Sequence, residues 1–296
     1  MPGGVSCFMR KVLKAMFLSD GANLTTGFHV ATAGAMMLLR ASFAGFVADE
    51  KAHNELMSVK GASGSKPCPT CKNICRRLNV ASSSYLLDIS SCNGQLFDRH
   101  TNETFYEMID MLRSKKSQLS KRNFEQLQQC LGMNCDEDSL FFDDELRSIL
   151  RPVDNCIRDW MHTLASGGVA GTEISLFIHE LLRNGVQLQH LVDYSSRYKL
   201  PKSQGKVSSM WFAAHRINDE QTRTPAASDH ITIVVLLKAF ADDALAPLLV
   251  MTRHCRCMSL LCVVLDVLTL GPDDATPHVE RLKSAIVEQN TLFVEL

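Results

Sequence analysis

The sequence predicts a mainly α-helical protein, with a small α/β piece over residues 1–80 followed by an all-α region over 81–296. Three observations predict it. Apolar residues make up 46% and charged residues 21% of the 296 positions, close to globular usage, so a long disordered or fibrous chain is excluded. Residues 1–75 carry short apolar runs rich in Gly, Ala, Phe and Met. From about residue 100 onward, apolar positions recur at helical spacing. No internal repeat marks a solenoid.

The elements follow in chain order. Residues 27–32 and 38–48 read as strands. The second is almost continuously apolar, as suits a strand covered on both faces, and stops sharply at Asp49-Glu50. Gly45 inside it is a weak point. Residues 50–59 read as a short helix. Two or three strands fall short of a usual sheet of about five or six.

The rest is helical. Thr104-Phe-Tyr-Glu107 has the form of a capping box opening a helix to about Arg113. Residues 121–131 and 143–150 are further candidates, the latter ending before Pro152, which disfavours helix in the residue preceding it. Over 172–183, Ile174, Phe177, Ile178, Leu181 and Leu182 form one apolar face, and Asn184-Gly185 stops the helix. Residues 229–250 and 255–269 are apolar nearly all round, as in buried helices. Thr276-Pro277 opens a last helix with Pro in its first turn. Residues 199–209 read as an exposed polar loop.

Several function classes fall away. The net charge is −1, which argues against a globally basic nucleic-acid binder and leaves room only for a local patch. The most apolar stretch, 231–251, is interrupted by Lys238, Asp242, Asp243 and Pro247, so no membrane span is expected. Arg10, Lys11 and Lys14 inside the apolar N-terminal stretch argue against a secretory signal. An odd number of cysteines, 11, points to reduced thiols in an intracellular compartment rather than a disulfide framework.

The strongest local signal is Lys60-Gly-Ala-Ser-Gly-Ser-Lys-Pro-Cys68-Pro-Thr-Cys71. A Gly-Pro-rich turn delivers two thiols at Cys-x-x-Cys spacing, which lets both sulfurs face one tetrahedral zinc ion. Cys75 is a candidate third ligand, and His162, His254, Cys255 and Cys257 are more distant ones. Structural zinc, plain thiols and a redox pair all remain open on spacing alone. The glycine run does not make a phosphate loop, because Pro67 follows Lys66. Between residues 51 and 77 there are six basic residues against one acid. Lys60, Lys66, Lys72, Arg76 and Arg77 are what contacts to a DNA backbone would use, and equally what a solvated surface carries.

Two further positions draw notice. Asp49 stands at the carboxyl end of a strand, where α/β enzymes place ligands and where any strand meets water. Asp159 and His162 lie three apart, so on a helix they share a face.

The order of these features resembles the cut-and-paste DNA transposases with an RNase H-like catalytic core, most closely CACTA and Plavaka/Kyakuja-Dileera-Zisupton-type elements. In that family a catalytic Asp ends a core strand. A Cys-x-x-Cys pair, an Asp/Cys-x-x-His motif, a helical insertion and a catalytic Glu follow. Val47-Ala-Asp49, Cys68-Pro-Thr-Cys71 and Asp159-Trp-Met-His162 match the first three of those features. The resemblance spans roughly residues 15–185. It implies an RNase H-like core with a large helical insertion, a nuclear location, DNA as partner, a homo-oligomer, and two Mg²⁺ ions held by carboxylates for strand cleavage and transfer. Other parts of the pattern are not met. Asp20 lies only 29 residues before Asp49, too few to fit the strands between the first two catalytic acids. No His-x-x-x-x-His pair or assignable final Glu occurs in 201–296. The expectation is therefore the middle of a transposase, an incomplete core inactive alone. The rival expectation is a non-catalytic helical interaction protein whose Cys-rich hairpin is a zinc staple.

Overall fold

A computed structural model describes residues 4–21, 23–76, 85–88, 91, 94–165, 168–200, 212 and 226–296. The fold is mainly helical, about 60% helix and 9% strand, as the helical spacing predicts. It comprises two compact units, Met1–Asp159 and Trp160–Leu296. The sequence pattern places the boundary near residue 80. The contacts instead gather the first helices of the expected all-α region into the first unit.

In the first unit, α1 (Gly4–Phe17) buries Leu13 and Phe17. Its polar face is tied to Asp143, which is 5% exposed and takes Arg10 Nε at 2.5 Å and Lys14 Nζ at 2.8 Å. A hairpin follows, β1 (Phe28–Thr32) antiparallel to β2 (Ala35–Leu39), with Thr32 opposite Ala35 across a tight turn. Gly34 supplies the positive φ of 112° that this turn needs. β3 (Phe46–Ala48) leads directly into α2 (Glu50–Leu56). In the Cys-rich loop, β4 (Ile74–Cys75) runs parallel to β5 (Leu87–Asp88).

Two helices follow, α3 (Asn102–Lys116) and α4 (Lys121–Leu131), the latter with the predicted bounds. α4 stops where Gly132 takes φ 69°, and a Cβ there would meet the Lys66 carbonyl oxygen at 2.4 Å. β6 (Cys156–Arg158) then returns to lie parallel to β3, with Phe46 opposite Cys156 and Ala48 opposite Arg158. The core joins Phe17, Phe46, Leu56, Phe105, Phe141 and Phe142. Each such side chain contributes about 2 kcal/mol on burial.

The second unit is helical. A π-helical turn, Met161–Ala165, precedes α5 (Val169–Arg183), then α6 (Leu188–Ser195), α7 (Ala227–Phe240), α8 (Thr252–Leu268) and α9 (Val279–Glu295). Ile174, Phe177, Ile178 and Leu181 are buried, as the apolar stripe of α5 predicts. They pack on Ile233, Val234 and Leu237 of α7 and on Met258, Leu261 and Leu265 of α8. α8 buries residues over most of its circumference, as expected of an interior helix, whereas α7 keeps an exposed face at Ser228 and Val235, the latter 51% exposed.

Four local expectations are corrected. Residues 38–48 are not one strand, because the chain leaves the sheet between β2 and β3. Nor is the run covered on both faces, since Leu38, Leu39 and Val47 are 49, 47 and 69% exposed. Continuous hydrophobicity reveals apolar side chains but not what covers them. The box that opens α3 is set three residues earlier, with Thr101 as N-cap and its hydroxyl accepting from the Thr104 N–H. Residues 143–150 form a 3₁₀ turn, Glu145–Ser148, rather than an α-helix. Residues 229–250 break after Phe240 into a π turn and a 3₁₀ turn at Pro247, which has no N–H to continue the ladder. The polar loop over 201–209 lies outside the described residues. No described helix is long and apolar enough to cross a membrane.

Candidate functional site

The parallel pairing of β3 and β6 brings distant acids together. Ala48 and Arg158 are the last paired residues, so Asp49 and Asp159 both stand one step past the carboxyl ends of adjacent parallel strands. The Asp159 N–H donates to the Ala48 carbonyl oxygen at 3.1 Å, which fixes the two backbones side by side. The Asp49 carboxylate is half-buried and already employed, with Oδ1 accepting the Ala52 N–H at 2.7 Å as the N-cap of α2. Behind the strands His53 is 2% exposed. Its Nε2 lies 3.3 Å from the Phe46 carbonyl oxygen, and burial pushes its imidazole toward the neutral form.

Asp159 is not on a helix with His162, as the motif suggested. It follows β6 as the last residue of the first unit, whereas His162 lies in the π turn of the second. Asp20 is exposed on the bend after α1. Among the described residues, no three His, Cys, Asp or Glu side chains form a group able to hold a metal ion.

The Cys-rich loop forms a second cluster. Segment 98–100 lies against 70–72. The Lys72 N–H donates to the Asp98 carbonyl at 2.7 Å, and the His100 N–H donates to the Thr70 carbonyl at 3.0 Å. Buried Asn73 stitches the loop. Its amide donates to Tyr85 and Leu96 carbonyls at 3.1 and 2.8 Å, and its Oδ1 accepts from Asp98 N–H at 2.9 Å. Within this frame Thr70 Oγ1 lies between the two thiols, 3.2 Å from Cys68 Sγ and 3.9 Å from Cys71 Sγ. Interaction between the two cysteines holds Cys68 toward the thiolate and Cys71 toward the thiol. His100, Cys68 and Cys71 line one small cavity. Burial, then Lys66 and Lys72, push the His100 imidazole down to about 4.

Cys75 belongs to β4 and does not complete a three-residue site with the pair. His162, His254, Cys255 and Cys257 belong to the second unit. Cys68 and Cys71 thus supply two thiols, and together with His100 they do not form a group able to hold a metal ion. Sequence reasoning overlooked His100 because the loop that delivers it lies some 30 positions downstream of the thiols.

The basic residues are largely engaged locally. Lys60 Nζ donates to Asn134 Oδ1 at 2.7 Å, Arg76 donates to the Ala62 carbonyl at 2.5 Å, and Lys72 lies 3.4 Å from Asp98. Lys66 lines the thiol cavity, and Arg77 lies outside the described residues.

A third site escaped the sequence reading altogether. Glu173 sits inside the apolar stripe of α5, one turn before Phe177, and is 4% exposed. An acid within a buried helical face was the signal available.

No family model, curated protein or solved structure matches this chain.

Proposed function

We propose that the chain derives from an RNase H-like DNA transposase and is catalytically incomplete. The observation that carries this reading is the parallel pairing of β3 with β6, which sets Asp49 beside Asp159 across more than a hundred intervening residues. Carboxylates at the carboxyl ends of adjacent parallel strands are where α/β enzymes gather ligands. Two carboxylates suit one hydrated Mg²⁺, which keeps several waters and takes one or two protein oxygens. They do not suit the bridged ion pair of strand transfer, which needs further oxygen ligands, so these two acids alone do not support DNA cleavage. DNA contact would rest on Lys66 and its basic neighbours, with nuclear location and self-association following from the same family reading.

Mn²⁺ titration followed by paramagnetic broadening in amide NMR spectra tests this. Broadening is expected first at residues 49–53 and at 159. It should weaken in both Asp49→Asn and Asp159→Asn. Broadening that ignores both substitutions would remove the reading.

The rival, a non-catalytic helical interaction protein with a zinc-stapled loop, is favoured by Cys68, Cys71 and His100 lining one cavity. Thiolates bind zinc and thiols do not; Cys68 is held toward the thiolate, whereas Cys71 would have to give up its proton on binding. Zinc analysis of the purified protein decides it. Equal zinc in wild type and Cys68→Ser would end the staple.

A further inference from the structure

The second unit holds a cavity that the transposase reading does not use. It has a volume of about 150 Å³ and opens between α5, α8 and α9. Leu176, Phe177 and Phe293 give it apolar walls. Its polar groups are Glu180 and Arg183, paired at 3.0 Å, with His179, His254 and Cys257. Glu173 also lines it and is almost wholly buried.

Burial raises the Glu173 carboxyl to about 7 against the hydrogen bonds from Gln289 and Cys257, so at neutral pH it is only partly ionised and a cation would favour its charged form. Gln289 Nε2 donates to its Oε2 at 2.6 Å, and the Cys257 thiol lies alongside, donating to the Gln289 carbonyl at 3.8 Å. Oε1 is buried and has no hydrogen-bond partner among the described residues. A buried acceptor left unmade carries a desolvation cost that a donor from outside would relieve. The cation nearest in the cavity lining does not compensate it, because Arg183 is committed to Glu180. The cavity therefore combines apolar walls, a self-neutralised ion pair and one buried carboxyl whose second oxygen is unmade. Ligand pockets have this form, apolar with a few convergent polar groups. An anion would meet Glu173 unfavourably, and a purely apolar guest would leave Oε1 unsatisfied.

We propose that this cavity binds a small primary ammonium compound with an apolar tail, its head donating to the Glu173 carboxylate and its tail lying against Phe177 and Phe293. This proposal stands apart from the strand-end carboxylates and does not depend on the transposase reading.

Benzylammonium is a suitable probe, with benzyl alcohol and phenylacetate as its neutral and anionic counterparts. NMR titration of the full chain should show benzylammonium shifting amide signals of α5, α8 and α9, with the two counterparts binding more weakly. Glu173→Gln keeps the shape and an acceptor for Gln289 but removes the charge. It should weaken benzylammonium by about tenfold or more, since a charged hydrogen bond is worth at least that factor. Leu176→Trp, at a partly exposed wall position, should block the cavity without burdening the core. Benzyl alcohol binding as tightly as benzylammonium, equal affinity in Glu173→Gln, or no shifts at all in the wild type would each overturn the proposal.

Discussion

At the scale of single residues, position is often legible in sequence and partnership is not. The abrupt change in hydropathy puts Asp49 at a strand end, and it stands there. His100 and Asp143 offer no such signal, because what defines them is a neighbour far along the chain. Asp143 is the clearest case. Burial alone would raise its pKa, but hydrogen bonds from Lys14 and Arg10 outweigh it and hold the carboxyl below its ordinary value. The folded state thus binds this proton less well than the unfolded state. The stability it contributes is present above the ordinary carboxylate range and is lost as pH falls through the lowered folded value. Asp143→Asn should therefore destabilise the first unit at neutral pH by about 2 kcal/mol, a buried pair discounted because Arg10 and Lys14 are partly exposed. The deficit relative to wild type should shrink on acidification below about pH 4. Urea titrations of both proteins across that range measure it, and a deficit independent of pH would contradict the assignment.

At the scale of elements, helices are more legible than strands. A helix declares itself within its own stretch, by apolar spacing and by residues such as Gly132 at its end, and α4 and α5 follow those cues. A strand is defined by its partner, and the partner of β3 is β6, beyond three helices and the whole Cys-rich loop. Gly45, a weak point for a strand in sequence, is a point of close approach between the two segments. A Cβ there would lie 2.6 Å from the Asn155 carbonyl oxygen, the same oxygen that accepts the Phe46 N–H at 2.6 Å. Asn155 is itself fixed, its amide donating to the Ala44 carbonyl at 3.0 Å. Gly45→Ala should force β3 from β6 at a cost of about 2 kcal/mol, as for other overpacked sites. Hydrogen exchange is the measure. The Asp159 amide should lose protection, while amides in α5, in the other unit, stay as they were. Unchanged protection at Asp159 would show that the strand pair tolerates the methyl.

At the scale of the whole molecule, helical content is legible because hydrophobic periodicity is a sum over many residues, whereas unit boundaries depend on which cores are shared. Phe105, Ile109 and Leu112 of α3 close over Phe141 and Leu146 with α1 and α2, so what reads as the start of a helical region completes the first unit. Catalysis is likewise a property of the assembled whole. Strand transfer by two metal ions needs carboxylates from several strands brought within bonding distance of both ions. Here Asp49 and Asp159 stand side by side, Asp49 already caps a helix, and among the described residues no third acid joins them. The purified chain should therefore leave supercoiled plasmid DNA intact with either Mg²⁺ or Mn²⁺. An agarose-gel assay with Asp49→Ala in parallel separates the outcomes. Nicking equal in both proteins would reveal a contaminating nuclease. Nicking by the wild type alone would show that a complete catalytic set forms around Asp49, and would overturn the reading of this core as incomplete.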